Sequence, residues 1–144
     1  MSNLPTDKII SCFYDSSTDC VKVLGTDGAL LSFNPAGLKV MEIDDPKEVI
    51  GKDWLSFWEG NMHQKAVEAL ATATKGTIAG FEGYCPTYKG TMKYWEVTIA
   101  PLLNDFGQVQ WLLVTSRDMT KYRDMEDELV FLRQELTELK ASLA

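Results

Sequence analysis

Histidine occurs once in the 144 residues, at His63, and cysteine three times, at Cys12, Cys20 and Cys85. A single histidine excludes the usual Cys/His zinc sets. An odd, scattered trio of cysteines argues against a disulfide framework and suits a reducing cytoplasm. Cys85 is weighed as a redox sensor against a plainer reading, a small apolar strand residue. Positive charge is scarce as well: 14 basic residues face 21 acidic ones, a net charge of −7. That balance is poor for gripping phosphate backbones, so no nucleic-acid partner is expected. No apolar run approaches membrane-spanning length, and the opening "MSNLPTDKII" lacks the basic and apolar parts of a signal peptide. The expected location is cytoplasmic, with no membrane contact by this segment. There is no nucleophile elbow, phosphate-cradling glycine loop or second histidine, so no enzymatic activity is expected. Asp44-Asp45 precedes Pro46 and reads as a turn, not a catalytic pair.

What remains is an ordinary globular composition, 45% hydrophobic and 24% charged, enough for one domain with a core. Ile9, Ile10, Cys12, Phe13 and Tyr14 form a short apolar helical stretch, started by Asn3 or Thr6 and ended by "DSSTD". In "CVKVLGTDGALLSFN", two β-rich runs flank Thr26-Asp27-Gly28, a strong hairpin signal. Asn34 then stands as an N-cap with Pro35 at the first helical position. A short helical turn is expected in "DDPKEVIGKD", before the aromatic "DWLSFW". Met62, Ala66, Val67, Leu70 and Ala73 share one face of a helix that Gly76 stops.

From there the period changes to two. "TIAGFEGYCPT", "TMKYWEVTIAPLL" and "QVQWLLVTSRDMT" read as three strands, with turns at Tyr88-Lys89-Gly90 and Asn104-Asp105-Phe106-Gly107. Trp95, Val97 and Ile99 share the face expected toward the helices; Tyr94, Glu96 and Thr98 share the other. Two strands, helices and three more strands predict an α+β fold: a five-stranded antiparallel sheet with helices on one face.

The chain closes on a different pattern. Tyr122, Met125, Leu129, Leu132, Leu136, Leu139 and Leu143 follow at spacings of 3, 4, 3, 4, 3 and 4. Every a and d position of these heptads is apolar, the signature of a coiled-coil seam. Val130 and Phe131 widen the stripe locally, as in a helix lying on its own domain, but beyond residue 132 the stripe is strictly a/d. A parallel homodimer would face Lys121 with Glu126, Glu128 with Arg133 and Glu135 with Lys140, all attractive. An antiparallel pair would tend to set glutamate near glutamate. Each exposed pair contributes under ~1 kcal/mol, but all three favour the parallel form. Thr120 is the expected N-cap, while Lys121 and Arg123 in the first turn oppose the helix dipole.

Residues 19–120 resemble the PAS sensory domains of bacterial signalling proteins. The similarity rests on "GALLSFNPAGLKVM", "VIGKDWLSFW", the three closing strands and "RDMT", which resembles the family's Asp-Ile-Thr exit with Met119 in place of isoleucine. The resemblance implies three parts: an N-terminal helical cap (1–18), the PAS domain (19–120) and a coiled-coil signalling helix (121–144). It implies a sensory and dimerisation module, with a sensor histidine kinase as the expected parent and an output domain beyond residue 144. Asp118 and Thr120 would relay the signal. A small-molecule ligand would sit between helices and sheet, where Phe33, Trp54, Trp58 and Trp95 are the pocket candidates.

The cofactor stays open: none is expected, with haem or flavin as alternatives. Light-oxygen-voltage photochemistry is excluded, because "DWLSFWEGNMH" lacks the reactive cysteine, although non-covalent flavin binding is not. Haem-based gas sensors of the family resemble this chain in placing an axial histidine early on the long helix, where His63 stands. Their polar distal residue has no counterpart around "GFEGYC". A ligand-free structural dimerisation module is the remaining alternative.

Overall fold

The computed structural model describes residues 3–144. Helix α1 (Thr6–Ser16) leads into a hairpin of β1 (Cys20–Gly25) and β2 (Leu30–Phe33). Helix α2 (Pro35–Val40) and two 3₁₀ turns, Pro46–Glu48 and Trp54–Phe57, precede helix α3 (Asn61–Thr74). Strands β3 (Ala79–Pro86), β4 (Met92–Leu103) and β5 (Val109–Asp118) complete the sheet, and helix α4 (Thr120–Leu143) leaves it. The expected α+β architecture is what forms: a five-stranded sheet in the order β2-β1-β5-β4-β3, with each neighbouring pair antiparallel. The last strand of the sequence therefore runs through the middle of the sheet, directly before α4.

The hairpin forms at Thr26-Asp27-Gly28 as expected. Gly28 has φ +88°, and a Cβ there would lie 3.1 Å from Asp53 Oδ1, so conformation and space both ask for glycine. Asp27 Oδ1 accepts from Ala29 N at 3.0 Å and braces the turn.

Alternation places the core. Trp95, Val97 and Ile99 are buried, while Glu96 and Thr98 are exposed. In β5 the inward residues are Leu112, Val114 and Ser116; in β1 they are Cys20, Lys22 and Leu24. Helix α3 covers this face with Ala66, Ala69, Leu70 and Ala73 buried, while Val67 is only half-buried. Its small residues allow a close approach. At Gly83, opposite Trp95, a Cβ would fall 1.8 Å from Met62 Sδ, so α3 rests on bare backbone there.

Asn34 is fully buried and uses its whole side chain. Its Oδ1 accepts from Gly37 N, capping α2, and from Val21 N, each at 2.9 Å. Its Nδ2 donates to Tyr14 O and Asp19 O, each at 3.0 Å. One side chain thus joins the end of α1, the start of β1 and the first turn of α2.

One expected helix start holds and one expected cap is corrected. Helix α1 starts at Thr6, one of the two starts expected, after Pro5 and with no side-chain cap; Thr6 Oγ1 bonds Leu4 O. Helix α4 is preceded by Met119, and Thr120 is its first helical residue, not its N-cap. The reason is local: the Thr120 hydroxyl is turned to Asp118 and the Tyr94 amide, and Asp118 Oδ1 accepts from Thr120 N at 3.0 Å, so the helix start is held with no side-chain N-cap.

Candidate functional site

The aromatic pocket expected from sequence is one place. Phe33, Trp54, Trp58 and Trp95 line a single cavity of about 20 Å³ between sheet and helical layer. Met41, Ile43, Phe57 and Cys85 complete its apolar wall, and Lys22 and Ser116 are its polar members. Strand alternation delivers Trp95, Lys22 and Ser116, while the 3₁₀ turn delivers Trp54, Phe57 and Trp58. Asp53 Oδ1 starts that turn by accepting from Leu55 N at 3.1 Å. Trp54 and Trp58 meet edge-on at 5.8 Å between ring centroids, and Trp58 meets Phe81 at 4.9 Å. Trp95 Nε1 donates to Cys85 O at 3.0 Å, fixing its indole. The volume holds about one water molecule.

Lys22 was not among the residues expected here. The signal for it was the β1 alternation, which puts position 22 on the face of Cys20 and Leu24. It is 5% exposed, and its Nζ donates to Ser116 Oγ at 2.9 Å and to Cys20 Sγ at 3.3 Å. It lies 5.8 Å from the centre of the Phe33 ring.

Cys85 donates its thiol to Phe57 O at 3.0 Å. Burial pushes its pKa up to about 11, with the nearby Lys22 pulling the other way. A thiol held neutral this way is a poor nucleophile, so the packing reading prevails over the redox sensor.

His63 is exposed on the first turn of α3 and does not line the cavity. Neither the histidine's position nor a cavity of about 20 Å³ fits a haem, and the same volume does not fit a flavin ring system. Among the described residues no group of three or more His, Cys, Asp or Glu side chains could hold a metal ion.

The second candidate region is the junction of β5 with α4. Tyr94 of β4 grips both sides of it: its carbonyl accepts from Met119 N at 2.8 Å, and its amide donates to Thr120 Oγ1 at 2.9 Å. Thr120 Oγ1 in turn donates to Asp118 Oδ1 at 2.6 Å, and Lys93 Nζ pairs with Asp118 Oδ2 at 3.0 Å. Burial works against the Asp118 carboxylate, but the Thr120 hydroxyl and amide and the Lys93 ammonium outweigh it and hold its pKa below the ordinary value. One turn on, the Arg123 guanidinium lies 5.1 Å from the centre of the Tyr94 ring. Beyond it, every residue from Asp124 to Ala144 is exposed. The seven heptad residues Tyr122, Met125, Leu129, Leu132, Leu136, Leu139 and Leu143 are between 48% and 78% exposed, so among the described residues nothing covers this stripe.

A five-stranded antiparallel sheet cupping an aromatic cavity under one long and several short helices defines an α+β sensory-domain architecture. The chain belongs to the PAS-fold family, whose match covers residues 14–124. No curated relative matches it. It is similar in fold to an RNA-binding light-oxygen-voltage receptor, with TM-score 0.76 and 17% identity over 93% of this chain. The match covers only 40% of that receptor. It is similar to the PAS domain of a protein from Colwellia psychrerythraea, with TM-score 0.72 and 17% identity over 81% of this chain and 98% of that one. A third likeness is to a domain of the sensory box sensor histidine kinase/response regulator from Geobacter sulfurreducens, with TM-score 0.66 and 20% identity over 78% of this chain and 94% of that domain. Among the described residues no helix is long and apolar enough to cross a membrane.

Proposed function

We propose that this chain is the sensory and dimerisation module of a bacterial signal-transduction protein, with a sensor histidine kinase as parent. Residues 19–120 sense a small molecule in the core cavity. Residues 121–144 pair with a second copy as a parallel coiled coil and pass the change to an output domain. The observation that carries this reading is the stiff clasp between Tyr94 and the Met119–Thr120 step. No glycine, proline or flexible linker intervenes between β5 and the heptads, so a shift of the sheet is delivered to the helix as rotation or register. The Geobacter sulfurreducens neighbour, whose parent is a sensor histidine kinase, supports the choice of parent.

Inserting one residue between Thr120 and Leu129 rotates the seam by ~100° relative to the sheet. In the full-length protein this should change output while the PAS domain stays folded. Unchanged ligand-dependent output would sink the rotary mechanism.

A second reading, a ligand-free dimerisation module, is favoured by the cavity of about 20 Å³. Native mass spectrometry and an absorption spectrum of purified protein separate the two, since the first reading expects bound or bindable small molecules.

A further inference from the structure

The polar groups at the cavity point to the class of ligand. Lys22 is 5% exposed, yet among the described residues it enters no ion pair with a carboxylate. An ammonium has three donors, and Ser116 Oγ and Cys20 Sγ take two of them. Buried charges are ordinarily paired, because an isolated one is costly to take out of water. The Cys85 thiol cannot serve as the missing anion, since burial keeps it neutral with a pKa of about 11. A second group is also incomplete: Trp58 is 5% exposed, and its buried indole Nε1–H has no hydrogen-bond partner among the described residues. Two donors short of acceptors on the wall of one apolar cavity ask for an acceptor carrying negative charge.

We propose that this cavity takes a small organic carboxylate of a few carbon atoms, its oxygens accepting from Lys22 Nζ and Trp58 Nε1 and its short chain lying against the aromatic wall. This rests on the ligand-sensing reading of the same cavity. The present volume of about 20 Å³ admits only a water-sized guest, so binding requires the wall to yield. Phe33 and Phe57 are among its half-buried members and pack against the core from the outside, so the proposal has the wall yield at them. The route to the output is short. A carboxylate on the third donor of Lys22 pulls on the Nζ that Ser116 Oγ also holds, and Ser116 stands on β5 two residues before Asp118, where the α4 clasp begins.

The test uses the full chain titrated with sodium acetate, propionate and butyrate and with the corresponding amides, at constant ionic strength. The readouts are tryptophan fluorescence and the NMR signal of the Trp58 indole N–H. Carboxylates should give saturable shifts and bind at least about tenfold more tightly than their amides, the difference expected for a charge-assisted hydrogen bond. Lys22→Met should fold and lose that preference; if it does not fold, Lys22→Gln serves the same purpose, and Trp58→Phe should weaken carboxylates more than amides. Equal binding of acid and amide, or undiminished carboxylate binding in the Lys22 variant, overturns the proposal while leaving a ligand-sensing cavity. If neither series enters and native mass spectrometry finds nothing retained, the ligand-sensing reading falls with it.

Discussion

The sheet core and the C-terminal helix are built to opposite rules. In the core, Asn34 satisfies all its side-chain donors and acceptors within the chain, and Trp95, Val97 and Ile99 are buried with 2%, 1% and 0% exposure. In α4, seven apolar residues at heptad spacing are all exposed. The core is complete in one copy, whereas the helix carries an exposed apolar stripe that the proposed pairing would cover. Under that proposal, perturbing the core should remove the protein, while perturbing the stripe should remove only pairing and relay.

The sharpest way to break the comparison is Asn34→Ala. It orphans buried donors at Val21 and Gly37 and half-buried carbonyls at Tyr14 and Asp19 together. Losing such a hub should cost about 3–4 kcal/mol, read as a large drop in thermal or urea midpoint. A loss below about 1 kcal/mol would mean that the α1–β1–α2 corner is held by packing alone.

The converse substitution is Leu132→Glu with Leu136→Glu. Each leucine fully buried against a partner contributes roughly 1.5–3 kcal/mol, so dimer affinity should fall by about 100-fold or more. The PAS core should keep its unfolding midpoint. Sedimentation velocity measures the association and circular dichroism the fold. Orientation is tested by Leu143→Cys in a Cys12→Ser background, because Cys12 is the one exposed native cysteine. A parallel seam places the two copies of position 143 together and gives a disulfide dimer on oxidation. An antiparallel seam separates them by the length of the helix, and absence of the crosslink in a dimer would defeat the charge-pair argument.

The same contrast explains what was legible in the sequence. The faces of β4 and of α3 followed from period alone, since burial alternates wherever one side meets a core. The aromatic pocket was legible because Trp54 and Trp58 come from one short segment and Trp95 from an inward strand position. Lys22 went unseen because its charge sits in a run read only as β-rich; following the alternation from Cys20 to Leu24 would have turned it inward. Asn34 was readable as a helix cap, but its bonds to Val21, Asp19 and Tyr14 join elements whose proximity only the tertiary structure establishes. Thr120 was assigned the cap by residue type, yet Asp118, still in the strand, reaches the same helix start. The heptad stripe is the reverse case: it is plain in the sequence, and among the described residues it stays exposed.

The smallest expected effect lies where the two regions meet. Asp118 accepts from the Thr120 amide and hydroxyl and pairs with Lys93, and its pKa is lowered in the folded protein. A carboxyl depressed on folding contributes stability that is complete above its unfolded value, here near 3.8, and that is lost as pH falls through the lower folded value. The clasp should therefore be intact at neutral pH and loosen only in strong acid. Asp118→Asn should remove the pH dependence and weaken the helix start by about 1 kcal/mol, as the loss of a partly exposed charge-assisted hydrogen bond does. Thr120→Val removes the hydroxyl between Asp118 and the Tyr94 amide while keeping the residue's shape, and should have a similar effect. Amide hydrogen exchange over residues 119–124 reads both variants locally. Faster exchange confined to that step, with β4 and β5 unchanged, would place the junction between the two regions at the Asp118–Thr120–Tyr94 contact. Faster exchange spreading into β5 would mean that the clasp belongs to the core, and that sheet and helix are less separate than their burial suggests.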